Sequence, residues 1–491
     1  MLTGLDYAVL AVYLTGVLGF GLWAGGRQRS TTDYFLGGRD LPWWAVLFSI
    51  VATETSTLTV IGVPAVAYGG SLVFLQLTFG FLLGRVGVAV WLLPRYFEGE
   101  LSTAYAFLGA RFGDGMRAAA SLTFLVTRLL ADGVRLFATA IPIKVIAASA
   151  GFDVSYAAII VVIGVVTVAY TFVGGLRAVV WMDVVQMAIY VGGALVAVVL
   201  LLDAVPGDWW ETAATTGKTQ VVDLGLGLSF AEWIASPYTL VVAVLGGAAF
   251  SAASHGTDQL VVQRLLACRS LRDGQRALVG SGVGVIAQFA LFLLVGLLLW
   301  SYYGGAELEA LGLQRDDEVF PKFIVEEMPP GVAGLLLAGI VAAAMSTLSS
   351  SLNALASSTV LDLWDRLGRR PLSAAASLRV SRWTTVGWGG VLVGFALAFR
   401  SLENPVVELG LGIASFTYGG LLGAFVLGLA SGRARQKEAV IAYVVTLLAL
   451  VVFVSIGGLA WPLYTALGAA LTVGVGTSLA GVGEGRTGRT S

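Results

Sequence analysis

The chain has 491 residues with only 29 basic and 30 acidic side chains, so 12% are charged where a soluble globular protein carries about 25%. Hydrophobic residues make up 57% of it and the mean hydropathy is +0.87, which excludes an ordinary soluble protein. A net charge of −1 promises no nucleic-acid or acidic-surface partner, and a single cysteine, Cys268, excludes an internal disulfide and a Cys-based zinc site. Glycine fills 64 positions, roughly twice the usual share, as suits closely packed helices in lipid. The composition therefore predicts an all-α integral membrane protein whose partners are lipid and a small molecule, with no obligatory protein partner evident.

A spanning helix needs about 20 mostly apolar residues, and the chain holds thirteen such stretches. In order their cores run 5 to 26, 42 to 68, 70 to 97, 115 to 150, 153 to 175, 178 to 203, 236 to 264, 276 to 303, 329 to 365, 379 to 400, 403 to 431, 436 to 456 and 459 to 481. The first has no basic flank before it and no small-residue cleavage site, so it reads as a retained helix rather than a signal peptide. No soluble domain is appended. With the amino terminus outside, 21 of the 29 Lys and Arg fall on the cytoplasmic side and five outside, so the positive-inside rule sets the orientation, the carboxyl terminus being cytoplasmic. The location predicted is the plasma or inner membrane. Arg85, Arg128 and Arg135 fall within spans.

Two spans are interrupted by polar residues. The second contains Ala52-Thr53-Glu54-Thr55-Ser56, and the seventh contains Ser251-Ala-Ala-Ser254-His255-Gly256-Thr257-Asp258-Gln259. They lie five helices apart, the offset expected of an inverted five-plus-five repeat with a binding site at the midplane.

Several runs give the chain a family likeness: Asp33-Tyr-Phe-Leu-Gly-Gly-Arg-Asp-Leu-Pro-Trp-Trp44, Ile61-Gly-Val-Pro64, Tyr170-Thr-Phe-Val-Gly-Gly-Leu-Arg-Ala-Val-Val-Trp-Met-Asp183-Val-Val-Gln186 and Thr257-Asp-Gln-Leu-Val-Val-Gln-Arg264. On these, the sequence resembles the sodium:solute symporters, solute carrier family 5 and its bacterial relatives, over nearly its whole length. The resemblance implies a LeuT-type fold in a single transporter domain, 1 to 491. A leader helix (5 to 26) precedes a first repeat of core helices 1 to 5 (42 to 203) and a second of core helices 6 to 10 (236 to 431), followed by two trailing helices (436 to 481). Core helices 1 and 6 are the broken ones.

In the ninth span, core helix 8, Ala343, Ser346, Thr347 and Ser350 share one face at about 100° per residue, with Ser349 alongside Ser346. Hydroxyls and a carbonyl there can replace part of a hard cation's water shell, and carbonyls freed at the first break can face them. The competing reading is packing and back-bonding to the preceding turn. The resemblance implies that Na+ is the coupling ion, held in a main site by the carbonyls of Ala52, Thr55 and Ala343 and the hydroxyls of Ser346 and Thr347. It also implies a second Na+ site from Asp183 on core helix 5 with Ser346, Ser349 and Ser350. Asp183 lies six residues after Arg177, and pairing with that arginine is its alternative role.

The solute pocket is expected beside the main site. Glu54 is a carboxylate within an apolar span, so it faces a cavity or pairs with Arg85, Arg128 or Arg135. Thr59 matches a substrate-contacting position of the family, and Phe74 and Gln76 on core helix 2 are further candidates. Arg128, Asp132 and Arg135 share one face of core helix 3 and read as an ion-pair ladder, with Arg128 near the carboxylate-binding arginine of acidic-solute carriers. Ser251 and His255 sit at the second break, His255 either packing, contacting solute or coupling protons. Sugar carriers of the family place Tyr-Trp where this chain has Ser254-His255 and a lysine in core helix 7, where this chain has none. The expected solute is therefore a small organic acid, vitamin or amino-acid-like metabolite, with a sugar as the alternative. From other classes, an ion channel does not need two broken helices in one chain, and an enzyme lacks a HExxH, GxSxG or P-loop motif.

Overall fold

A computed structural model describes residues 2–26, 28–99, 101–149, 151–364, 373–399 and 406–487. Arg27, Arg366, Arg369, Arg370, Arg400 and Arg489, which contribute to the orientation argument, lie outside the described residues. The protein is all-helical; among the described residues the one β-type contact is an isolated bridge between Leu41 and Cys268.

The long helices are α1 (Gly4–Ala24), α2 (Trp43–Glu54), α3 (Thr57–Gly69), α4 (Leu75–Gly87), α5 (Asp114–Ser149), α6 (Tyr156–Ala204), α7 (Leu240–Gly256), α8 (Gln259–Leu266), α9 (Leu271–Tyr302), α10 (Val332–Ser357), α11 (Ala374–Ala398), α12 (Val406–Ala430), α13 (Gln436–Ile456) and α14 (Leu463–Thr487). Each of the thirteen apolar stretches contains a helix. Eight helices are long and apolar enough to cross a membrane by themselves, nine if the bent pair α2 and α3 counts as one, among the described residues. The stretches 153 to 175 and 178 to 203 form one helical run, α6, whose direction changes at Gly175 (φ 56°, ψ −157°). Only glycine adopts that conformation freely, and a side chain there would strike the Tyr34 carbonyl.

Buried surface is concentrated on α10. All of its residues except Val332 and Leu335 are buried, because α1, α2, α5, α6 and α11 surround it. A helix apolar all round with serines on one side belongs at the centre of a bundle. The other tight seam joins α4 to α7. Gly80 and Gly84, four residues apart on α4, allow backbone contact, since a Cβ on Gly80 would meet the α7 backbone at Val244 and Ala248 and one on Gly84 would meet it at Ala248 and Ala252. These two seams hold the broken helices in register.

Candidate functional site

Helix α2 stops at Glu54 and α3 starts at Thr57, with a 61° change of direction between them. Thr55 has extended geometry (φ −79°, ψ 104°), and the Ser56 N–H donates to Thr59 Oγ1 at 3.3 Å rather than back along the helix. Backbone carbonyls are thereby released at a point where α10 passes. The Thr347 hydroxyl lies 3.2 Å from the Ala343 carbonyl and 3.5 Å from the Thr55 carbonyl, so three of the five expected main-site residues meet. Ala52 is buried one turn before the break, and the Ser346 hydroxyl turns away to donate to Asp183 Oδ1 at 2.6 Å. Oxygen-only, uncharged ligands suit a hard monovalent cation. Gln288 of α9 supports the break from behind, its Nε2 donating to Thr55 Oγ1 at 2.5 Å while its Oε1 is buried without a partner.

One turn further along α10 the surroundings are charged. Asp183 is fully buried, accepting from Ser49 Oγ at 2.5 Å and from Ser346, and it pairs with Arg264 Nη2 at 3.3 Å. Arg264 also donates to Ser49 Oγ (2.8 Å), the Leu260 carbonyl (2.6 Å) and Ser350 Oγ. Ser349 donates to the Ser346 carbonyl at 3.0 Å. Asp183, Ser346 and Ser350 are thus brought together as expected, with a guanidinium between Asp183 and Ser350. Arg177, the alternative partner, pairs with Asp40 at 3.8 Å instead, because it is half exposed on the outer face of α6.

A cavity of about 370 Å³ opens beside the break. Of the seven candidate solute residues, Glu54, Thr59, Phe74, Arg128 and His255 line it. Gln76 and Ser251 do not: Gln76 is buried and bonded to the Tyr238 carbonyl (2.9 Å) and the Asp223 N–H (3.2 Å), and Ser251 Oγ accepts from Arg85 Nε at 3.5 Å. Both are used up by contacts that hold neighbouring elements. Phe74 stacks on Phe289 at 5.6 Å, and Phe81, Tyr238, Phe250, Tyr418 and Trp461 complete an aromatic wall. Asp316 and Asp317 reach the mouth from the loop after α9, and burial together with the Asp317 charge raises the Asp316 carboxyl above its usual range.

The buried charges in the spans pair internally. Glu54 Oε2 takes Arg85 at 2.5 Å, and Arg85, fully buried, also donates to Ser281 Oγ at 2.7 Å. Glu54 still exposes 25% of its side chain to the cavity, so it pairs and faces the cavity at once. Asp132 is shared by Arg128 (3.5 Å) and Arg135 (3.4 Å) and accepts from Ser351 at 2.5 Å, which is the ladder read from the spacing. Asp258, whose other oxygen caps α8 at Leu260 N (2.9 Å), takes Arg128 and the Tyr418 hydroxyl (2.7 Å). Arg128 is therefore heavily engaged. Arg135, by contrast, lines the same cavity with 22% of its side chain exposed and Asp132 as its ion-pair partner. Arg135, Arg264, Gln288 and, apart from Phe74, the aromatic wall are absent from the site expected from the sequence. Arg264 closes the last recognisable run and Arg135 shares the helical face of Arg128, so both carried a signal; Trp461, in the turn before α14, carried none.

A bundle with two interrupted helices around a polar-floored cavity is the architecture of a secondary transporter. The sodium:solute symporter family profile matches residues 34–446, and the chain belongs to that family. It is 31% identical to the human sodium/iodide cotransporter over 93% of this chain and 70% of that one, and 28% identical to the sodium/sialic acid symporter of Proteus mirabilis over 91% and 88%. Human sodium-coupled monocarboxylate transporter 1 is 29% identical over 86% and 69%. A Na+-coupled sialic acid symporter, solved substrate-bound and outward-open, superposes with a TM-score of 0.87 at 27% identity, covering 98% of each chain. The nucleobase-cation symporter Mhp1, at 14% identity and a TM-score of 0.54, shares the fold. The protein is a multi-pass Na+-coupled symporter and not an enzyme.

Proposed function

We propose that this symporter imports a small organic acid by alternating access, with Na+ bound where the α2 break meets α10. The observation that carries the reading is the convergence of the Thr55 and Ala343 carbonyls on the Thr347 hydroxyl; Ala52 and Ser346 belong to the proposed set through the family resemblance. Thirteen spans, the inverted five-plus-five arrangement, the two trailing helices and an external amino terminus belong to the same proposal. Interruptions five spans apart and the Lys and Arg distribution support them. An acidic solute is supported by Arg135, whose guanidinium faces the cavity with donors to spare, since planar bidentate pairing suits a carboxylate. The acidic cargo in the names of the sialic acid and monocarboxylate relatives points the same way.

Asp183 with Ser346, Ser349 and Ser350 is the proposed second Na+ site, in competition with Arg264. Each Na+ crossing 100 mV releases about 2.3 kcal/mol, and a tenfold gradient adds about 1.4. Two ions supply about 7 kcal/mol, enough for accumulation on the order of 10⁵-fold, whereas one supplies a few hundredfold. The test is uptake of labelled lactate, pyruvate and sialic acid into proteoliposomes under an inward Na+ gradient. Concentrative uptake that collapses in K+ and in Arg135→Gln supports the reading; uptake indifferent to Arg135→Gln refutes the carboxylate role.

A further inference from the structure

Along the cavity the polar side chains are mostly spent on one another. Glu54 takes Arg85 through Oε2 and stands 3.4 Å from His255 Nε2 through Oε1, while the Ser254 hydroxyl lies 2.8 Å from His255 Nδ1. Arg128 is held by Asp132, Asp258 and Tyr418. Thr53 Oγ1 donates to the Ser49 carbonyl at 2.7 Å, and Thr59 Oγ1 accepts from the Ser56 N–H at 3.3 Å. At the mouth Asp317 pairs with Arg315 at 3.1 Å, and the Lys218 charge acts on Asp316. Arg135 differs: among the described residues Asp132, at 3.4 Å, is its one ion-pair partner, and 22% of its side chain is exposed. The rest of the lining is apolar, and its large members are aromatic. Phe74, Phe250, Phe289 and Trp461 are all half-buried there. Phe74 and Phe289 lie within 3° of parallel, and Trp461 meets Phe250 at 85° with ring centroids 5.8 Å apart. Trp461 is fixed in the turn before α14: the Ala460 N–H donates to the Ile234 carbonyl at 2.8 Å, and Pro462 packs so closely on α7 that a side chain at Gly246 would strike it.

We infer that the transported acid is an aryl or arylalkyl carboxylate, its carboxylate on Arg135 and its ring against the wall of Phe74, Phe250, Phe289 and Trp461. The inference rests on the reading of this cavity as the acid site of a Na+ symporter. A ring has a negative face and a positive edge, so it packs both parallel and edge-on to other rings and gains beyond the area it buries. A polyhydroxylated acid must give up water at each hydroxyl, and ring carbons return no hydrogen bond, while the polar groups that could are already paired. A two- or three-carbon acid satisfies Arg135 but leaves the wall uncovered. The cavity, at about 370 Å³, lies in the range of sites that enclose drug-sized ligands, more than such an acid fills. Trp461 is thereby assigned as a specificity residue supplied from the turn before α14.

Two matched pairs of probes test this by thermal-shift titration of the purified full-length protein in Na+: phenylacetate against acetate, and 3-phenylpropionate against propionate, with sialic acid as the polyhydroxylated control. In at least one pair the phenyl acid is expected to bind about tenfold or more tightly than its partner, and more tightly than sialic acid. Trp461→Leu and Phe250→Leu keep the wall apolar but remove a ring, so the phenyl advantage should shrink by about threefold or more in at least one of them, with propionate unaffected. Three outcomes overturn the inference: less than about tenfold advantage in both pairs, including no binding by any probe; sialic acid binding as tightly as the phenyl acids; or an advantage that survives in full in both variants. Stabilisation by Na+ over K+ without any acid is read in the same experiment and shows that each variant is folded. Its loss in the wild type defeats the symport reading itself, whereas its retention without a phenyl advantage defeats only the aryl inference.

Discussion

The two proposed cation positions lie one turn apart on α10, and they are made of opposite materials. The one at the α2 break uses carbonyls and a hydroxyl of Thr55, Ala343 and Thr347, with no formal charge. Its neighbour is built around the fully buried carboxylate of Asp183, which Arg264 already neutralises. A low-dielectric interior does not tolerate a lone carboxylate, so a charged site acquires an internal counter-ion, whereas neutral oxygens freed by a helix break keep their unfilled valence for an ion. On the proposed assignment the uncharged position takes Na+ directly, whereas at the charged one Na+ would exchange with a guanidinium.

The strongest way to break this contrast is to remove the Thr347 hydroxyl of the uncharged site together with the Ser346 hydroxyl that bonds Asp183. Ser346→Ala combined with Thr347→Ala should weaken Na+ by on the order of 100-fold or more, abolishing Na+-specific thermal stabilisation; an undiminished Na+ response in a folded double variant refutes the assignment. Arg264→Met leaves Asp183 unpaired and should cost about 3–5 kcal/mol in stability. Addition of Asp183→Asn to it should cost less than the two single changes summed, and strict additivity in denaturation experiments would show the pair to be uncoupled. If Na+ can replace the guanidinium, Na+ restores more of the lost stability of Arg264→Met than K+ does. A smaller effect is expected of Gln288→Leu, which frees the Thr55 hydroxyl and should weaken Na+ about five- to tenfold with little loss of folded protein, read by Na+ titration. The smallest concerns steepness: the Na+ dependence of uptake should have a Hill coefficient above one, falling to about one in Asp183→Asn. A wild-type value of one that Asp183→Asn leaves untouched refutes the second ion.

Much of the site was legible along the chain. The interruption at Thr53 to Ser56 and the hydroxyl face Ser346, Thr347 and Ser350 are local patterns, and the structure packs them against each other. The Arg128, Asp132 and Arg135 ladder is equally local, being set by helical spacing. What spacing did not reveal is which arginine keeps its donors free. Arg128 meets Asp258, 130 residues away, and Tyr418, 290 away, and keeps only a buried Nε without a partner, while Arg135, paired with Asp132, lines the same cavity with part of its side chain exposed. Asp183 likewise passes over Arg177, six residues back, for Arg264, 81 residues on.

Hydropathy, helical period and polar interruptions are properties of a few turns of chain, and transfer into lipid acts on them one segment at a time. The sequence by itself therefore determined the helical stretches, the two breaks and the oxygen stripe. Partner choice among buried charges depends on which helices pack together, a contest between desolvation and pairing over long separations. Only the tertiary structure decided that Arg264 guards Asp183, that Arg85 backs Glu54, and that His255 Nε2 stands against Glu54 beside the cavity.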